Sequence, residues 1–229
     1  MSKHLITTTK CSAYEHPEFL FECDSAIPQA DIDIFTSFLE ESVENGTRYN
    51  EGDLILFGSM LLQIAKVNDS LTIAEPDLQT MPIEWKQGVT RSMQILRLQK
   101  DIAESVGLED EFDSPSIESS LLVGADLSQH DEDLVLDGTE SADSDSGWFV
   151  GRQDSALNYD DEASLKRISV YQTILNWPQI SGFLALPAGC RVEISGRKPR
   201  FTLNGRNLEI KPASLIDALA KNSQVNEPQ

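Results

Sequence analysis

Acidic side chains in the middle of the chain are the residues with the most evident chemical potential. Residues 143–147 read Asp-Ser-Asp-Ser-Gly, which resembles the start of a calcium-binding loop with oxygen ligands. A loop that begins there would need its turn glycine at the sixth position, which is Trp148. A loop that begins at Asp133 places Gly138 correctly but puts Val135 where a carboxylate is required. Neither register forms the motif, so we predict no metal site; an irregular divalent-cation site made by acidic loops stays an alternative.

The cysteine and histidine residues offer a second kind of chemistry. Cys11, His16 and Cys23 lie in one short segment, but zinc ligands are usually spaced as CxxC or HxxxH pairs and are completed by a fourth ligand. Cys11 with His16 is also the one pair that could supply a thiolate nucleophile and its base. We interpret the three cysteines, of which the third is Cys190, as reduced thiols of a protein in a reducing cytoplasm.

Catalytic motifs are absent from the sequence. It contains no GxSxG nucleophile elbow and neither glycine-rich phosphate-binding pattern, GxGxxG or GxxxxGK(S/T). Adjacent carboxylates such as Asp160 and Asp161 are abundant, but in so acidic a chain adjacency alone does not indicate acid–base catalysis. We therefore predict that the protein is not an enzyme and uses no cofactor.

The charge is strongly acidic and unevenly distributed. The chain has 38 acidic and 18 basic residues, a formal net charge of −20, and residues 101–165 contain 19 of the acids with one base, Arg152. Such a field repels nucleic acid and anionic membranes and attracts basic protein surfaces. It predicts a protein partner with a basic surface, and neither nucleic acid nor membrane. Solubility, or a disordered linker, is the simpler explanation of an acidic run.

Basic residues are concentrated after residue 165 and could either bind nucleic acid or pair with the acidic middle. The residues concerned are Arg191, Arg197, Lys198, Arg200 and Arg206. We favour pairing within the chain because it offsets the mutual repulsion of the acids. No apolar run approaches the roughly 20 residues of a membrane helix, and the first residues lack the apolar segment of a secretory signal. A cytoplasmic protein is expected.

The first hundred residues mix strand and helix patterns. Asp31 is predicted to cap a helix that runs to about Asn45 and ends at Gly46. Its apolar stripe consists of Ile32, Phe35, Leu39 and Val43. A second helix is predicted over residues 89–106, ending at Gly107. Strands are predicted over residues 19–23, 54–58, 60–67 and 71–74, with a hairpin turn at Asn68 and Asp69.

The second half of the chain carries further strands between acidic segments. Strands are predicted over residues 117–125, 147–151, 189–194 and 200–203, and helices over residues 171–176 and 212–221. Residues 129–145 and 154–162 are predicted to be acidic loops. In the strand at 147–151, Trp148 and Phe149 are more typical of a core than of a contact surface, but one of them, if exposed, would suit an interface anchor.

Strands followed by packed helices, without regular alternation of the two, predict an α+β fold of two small domains, each a mostly antiparallel sheet with packed helices. The predicted boundaries place an N-terminal domain at residues 1–110, an acidic linker at 111–116, a C-terminal domain at 117–222 and a disordered tail at 223–229.

Three segments of the C-terminal half resemble, in the same order, a family of immunity proteins of bacterial polymorphic toxin systems. They are residues 143–151, which contain the sequence DSGW, residues 165–171, and residues 183–189 with the sequence FLALPAG. This pattern is similar to the immunity protein thirty-three-like family, from which it departs mildly at Val170 and Ala188. Segments of the N-terminal half are similar to sequences joined to that domain: residues 16–19, 39–46, 75–77 and 97–100.

The resemblance implies a protein that binds and blocks a cognate toxin inside the cell that makes it, and it supplies no catalytic residues. We predict a partner-binding surface around the strand at residues 147–151 and its two loops. The predicted residues are Asp143, Asp145, Trp148, Asp154, Asp160, Asp161 and Glu162. Two alternatives are an adaptor or chaperone that docks a secreted effector, and a hydrolase with a metal-dependent carboxylate site. The oligomeric state is not predicted.

Overall fold

In the computed structural model, which describes residues 3–68, 70–196 and 198–222, the chain forms two compact units, Met1–Arg97 and Leu98–Gln229. Four helices and mostly antiparallel sheets confirm the predicted α+β class. The domain boundaries predicted at residues 111–116 stay a prediction. Asp69 of the predicted turn, Arg197 and the predicted tail at 223–229 lie outside the described residues.

The first unit contains a two-stranded ribbon and a four-stranded antiparallel sheet. The ribbon pairs β1 (Lys3–Thr7) with β2 (Leu20–Asp24). The sheet has the order β3-β4-β5-β6 and consists of Leu54–Phe57, Met60–Val67, Ser70–Pro76 and Trp85–Gln87. The predicted hairpin is confirmed, since β4 pairs antiparallel with β5. Phe19 joins the ribbon to the sheet through a bridge to Leu71.

Helix α1 (Gln29–Glu44) buries the predicted stripe, but it begins differently from the prediction. Pro28 occupies the N-cap position, where its φ of −56° and missing N–H suit a helix start, so the prediction that Asp31 caps the helix is wrong. Asp31 lies in the first turn, where the helix dipole stabilises a negative charge. Its Oδ2 is 3.5 Å from Arg97 Nη1. Gly46, at a φ of +98°, ends the helix as predicted.

The second unit is built on a seven-stranded mixed sheet in the order β10-β7-β9-β8-β11-β12-β13. In chain order, the strands β7 to β13 are Ser120–Gly124, Leu134–Gly138, Asp145–Arg152, Leu165–Ser169, Cys190–Ile194, Arg200–Leu203 and Arg206–Asn207. All described neighbours pair antiparallel except β7 and β9, which are parallel. The remaining helices are α2 (Thr90–Val106), α3 (Val170–Asn176) and α4 (Leu215–Asn222).

The centre of residues 129–145 is a strand and not the predicted acidic loop. Residues 134–138 form β8, which lies between β9 and β11. Leu134, Val135 and Leu136 are at most 5% exposed. Acids lie on both sides of this run of three apolar residues, and the run is too short to identify a strand from hydropathy alone.

One face of the seven-stranded sheet is covered by the unit's apolar core. Trp148 and Val150 of β9 lie on this face with their partners on β8, because alternate residues of a strand point to opposite faces. The segment at residues 177–189 supplies part of the cover, and the ring of its Phe183 lies 5.9 Å from that of Phe201. Among the described helices, none is long and apolar enough to cross a lipid bilayer.

Candidate protein-binding site

The opposite face of this sheet carries a groove of about 570 Å³, which we call the sheet groove. Its floor is formed by half-buried apolar side chains, chiefly Leu122, Phe149 and Leu165, from three adjacent strands. One wall is the loop at residues 153–161, from which Leu157 projects with 40% of its surface exposed. Apolar side chains therefore line a concavity that no described element of this unit fills.

Tyr159 fixes the loop at residues 153–161 to the sheet. Its ring lies over Gly124 and Gly151, where a Cβ would come within 2.7 Å of the Tyr159 ring in each case. The Tyr159 hydroxyl donates a hydrogen bond to Asp126 Oδ1 at 2.8 Å and accepts one from the Arg152 amide at 3.1 Å. Only glycine at these two positions leaves room for the Tyr159 ring to pack against the strands. The two glycines therefore determine where the groove wall lies.

Asp126, which follows β7, accepts two hydrogen bonds from the loop at residues 153–161. Ser155 Oγ donates to its Oδ2 at 2.8 Å, beside the bond from Tyr159. Burial alone would raise the pKa of Asp126, but these two hydrogen bonds outweigh it and lower the pKa below the usual range. The carboxylate is thus a charged anchor for the loop at residues 153–161.

A line of alternating charges borders the other side of the sheet groove. Arg191 contacts Asp137 Oδ2 at 2.7 Å and Glu193 Oε1 at 3.2 Å, and Arg200 contacts Glu193 Oε2 at 3.0 Å. These residues face one another across β8, β11 and β12. Of the basic residues of the C-terminal region, Arg191 and Arg200 therefore pair with acids of the same unit at this border.

The predicted acidic residues lie at opposite ends of β9. Asp143 and Asp145 are at its start, whereas Asp154 and residues 160–162 follow its end. Eight residues of strand separate the two groups by about 25 Å, at roughly 3.3 Å per residue. The structure does not bring the seven predicted residues into one cluster.

Asp145 at the start of β9 already has partners within the unit. It forms an ion pair with Arg167 and accepts a hydrogen bond from the Gly147 amide at 2.9 Å. Burial alone would raise its pKa, but these contacts outweigh burial and lower the pKa of Asp145. Arg167 also donates to Ser120, so this end of the strand is a closed hydrogen-bond network.

The end of β9 carries exposed acids from two adjacent loops, which we call the acidic rim. Its members are Glu132, Asp133, Asp154, Asp160, Asp161 and Glu162. The loops are joined by a hydrogen bond of 3.3 Å from the Gln153 amide to the Asp133 carbonyl. Arg152 pairs with Asp154 at 3.0 Å. Among the described residues, no ion pair is formed by Asp160, Asp161 or Glu162.

Trp148 is 4% exposed and belongs to the core, which removes it from the predicted surface. It alternates with Phe149, which is half-buried, reaches the sheet groove and packs 5.0 Å from the Tyr159 ring. The glycine-bracketed pattern predicts the strand correctly but not which aromatic side chain faces outward. The neighbouring Gly138 explains the choice, since a Cβ there would lie 3.1 Å from the Trp148 indole.

Cys11 and His16 each have other hydrogen-bond partners among the described residues. Cys11 contacts Thr8 Oγ1 at 3.6 Å, and burial raises its pKa to about 11. His16 Nε2 accepts a hydrogen bond from the Tyr49 amide at 3.1 Å, and Nδ1 lies 2.7 Å from the Pro17 carbonyl. The His16 ring is thus committed to the backbone. Within residues 3–68, 70–196 and 198–222, no three His, Cys, Asp or Glu side chains are grouped as a metal site.

The region that builds the sheet groove and acidic rim has a recognisable relationship to known sequences. Residues 98–200 match the Imm33-like domain. This match confirms the family resemblance carried by the DSGW and FLALPAG segments. The Imm33-like region begins at the first residue of the second unit and contains β7 to β11. Neither a curated protein nor a solved structure matches the chain.

Proposed function

We propose that this protein is an immunity protein that binds and neutralises a cognate bacterial toxin in the cytoplasm of the cell that makes both, and that it acts without catalysis. The observation that carries the proposal is the match of residues 98–200 to the Imm33-like domain. The same residues supply the sheet groove and the acidic rim, which together offer an apolar concavity beside a charged border. An interface commonly combines these two features.

The acidic rim is the proposed contact for a basic surface of the toxin, such as a cleft that holds a nucleic-acid backbone. Asp160, Asp161 and Glu162 are exposed, and among the described residues none of the three forms an ion pair. Exposed charges of one sign accelerate the encounter with an oppositely charged partner and fix its orientation. Neutralisation follows by occupation of the cleft, with one immunity protein for each toxin molecule.

Co-expression with candidate toxins encoded near this gene tests the proposal. We expect cells that induce the toxin alone to lose viability and cells that also express this protein to survive. The purified pair should form a stable complex. A complex without protection would favour an adaptor or chaperone, and protection that a chelator abolishes would favour a metal-dependent hydrolase. Absence of both complex and protection would exclude the proposed function.

Charge reversal identifies which end of β9 contacts the toxin. The variant Asp160→Lys/Asp161→Lys/Glu162→Lys should weaken binding strongly and lose its salt dependence. The matched control Glu118→Lys/Glu140→Lys/Asp143→Lys changes three exposed acids near the other end of the strand by the same net charge. It should bind nearly as the wild type does. The opposite ranking would move the contact to the start of β9.

A further inference from the structure

We propose that the sheet groove receives a basic segment of the toxin that carries a large apolar side chain, and that Leu157 is its principal apolar contact. The inference rests on the proposed function and adds the location and chemistry of the contact. It commits to one occupant, an extended or loop segment in which Lys or Arg flanks an aliphatic or aromatic residue. The argument has three parts: the apolar floor, the unbalanced charge at one end, and the fixed wall.

The floor of the groove predicts an apolar side chain in the bound segment. Phe149 and Leu165 are half-buried, and Leu157 is 40% exposed at the edge of the wall. A volume of about 570 Å³ accepts a few side chains and is too small for a helix pair. Water released from these surfaces supplies affinity, whereas the charged border supplies orientation.

The charges around the groove predict the basic flank. Three arginines line the groove. Arg191 and Arg200 are paired with Asp137 and Glu193 at 2.7–3.2 Å. Arg152 is paired with Asp154 at 3.0 Å, so the basic groups that line the groove are balanced locally. Asp160, which also lines the groove, is exposed and forms no ion pair among the described residues. The uncompensated charge at this end is therefore negative and complements Lys or Arg.

The wall of the groove is held in place before a partner arrives. Tyr159 is seated on Gly124 and Gly151, and its hydroxyl bonds Asp126 at 2.8 Å. Leu157 lies two residues before this anchor, and its amide donates to Ser155 Oγ at 3.0 Å. A pre-organised wall reduces the entropy lost on binding. The geometry supports contact at Leu157 without a prior rearrangement of the loop.

Leu157→Asp separates apolar contact from charge. The added negative charge by itself would attract a basic segment, and salt screens this attraction. Weaker binding therefore reports the lost apolar contact together with the cost of placing a carboxylate in an apolar groove. Using a catalytically inactive form of the toxin that the co-expression experiment identifies, we expect Leu157→Asp to weaken the Kd about tenfold or more at high salt, and by less at low salt. The control Leu219→Asp alters a leucine of α4 that is 51% exposed and should leave the Kd unchanged.

Hydrogen exchange of the wild-type complex gives an independent measurement. Toxin binding should protect the amides of the loop at residues 153–160, and this added protection should be absent in the free protein at any concentration. If the wild type binds the toxin but Leu157→Asp binds equally well and residues 153–160 gain no protection, the groove proposal is wrong and the immunity function stands. Protection that grows with the concentration of this protein alone would assign the groove to a second copy. If the wild type binds no toxin, both proposals fail.

Discussion

At the scale of single residues, Tyr159 is the side chain on which the candidate site depends most. Its hydroxyl satisfies Asp126 and the Arg152 amide, and its ring covers two glycines. We expect Tyr159→Phe to lower the free energy of unfolding of the second unit by about 1–2 kcal/mol, the usual loss when a hydrogen-bonded partner disappears. Hydrogen exchange at residues 153–161 should accelerate. Tyr14→Phe removes an exposed hydroxyl that donates to Glu44 and should have little effect.

Glu18 makes the stability of the first unit depend on pH. Burial alone would raise its pKa, but hydrogen bonds from Thr8 at 2.6 Å, Ser12 at 2.8 Å and Cys11 at 3.2 Å outweigh burial and lower the pKa to about 2. A glutamate in an unfolded chain has a pKa of about 4.3. The stabilisation is therefore complete above that pH and is lost as the pH falls toward 2.

The expected result is a pH-dependent difference between the wild type and Glu18→Gln. At pH 7 the variant should have a lower Tm, with a loss of about 2 kcal/mol typical of hydrogen bonds to a charged group. Near pH 2 the two proteins should unfold at similar temperatures. The control Glu15→Gln changes an exposed neighbour and should follow the wild type throughout. Parallel curves for Glu18→Gln and the wild type would contradict the assignment.

The residue types of the site are evident in the sequence, but their partners are not. Asp143, Asp145 and Asp160 are identified by the local charge alone, whereas Asp145 is neutralised by Arg167, 22 residues away. That pairing requires β10, β7 and β9 to lie side by side, which no local pattern specifies. The sequence also does not predict a role for Tyr159 or Leu157. The surface of two glycines on which the Tyr159 ring packs exists only after β7 and β9 pair in parallel.

At the scale of elements, the position of the loop at residues 153–161 depends on β7 and β9 as well as on the loop's own sequence. Adding a Cβ at Gly151 would place it 2.6 Å from Phe149 Cζ and 2.7 Å from Tyr159 Cε2. We expect Gly151→Ala to destabilise the second unit by about 1–3 kcal/mol, the range for an overpacked site. Hydrogen exchange should show faster opening of residues 153–161 than of β8. Unchanged exchange in this loop would exclude the proposed role of the glycine.

The sequence predicts an element correctly where apolar residues recur at a regular spacing over several turns or residue pairs. The stripe Ile32, Phe35, Leu39 and Val43 identifies α1 because it continues over about three helical turns. The same criterion does not identify strand β8, because its three apolar residues follow three acids and precede Asp137. Leu136 faces the core and Val135 faces the sheet groove, yet both are buried. Burial on both faces removes the alternation that identifies a half-exposed strand.

At the scale of the whole molecule, the excess of acids predicts how fast the partner associates. We expect the association rate constant for the toxin to fall about tenfold or more between low and physiological salt, because screening suppresses long-range attraction. The dissociation rate should change less. Stopped-flow fluorescence across an ionic-strength series measures both. The triple charge reversal at residues 160–162 should flatten the salt dependence, whereas an unchanged slope would place the steering charges elsewhere.

The strand order has a consequence for the chain as it is synthesised. β7, β8 and β9 occupy the middle of the sheet, but the strands that cover their two sides, β10 and β11, come later in the chain. A nascent chain that has released only residues up to 152 therefore exposes unpaired edges on both sides, which invites association with other chains. The groove floor is equally incomplete, since Leu165 is still inside the ribosome. The sheet groove therefore forms only after the later strands have also left the ribosome.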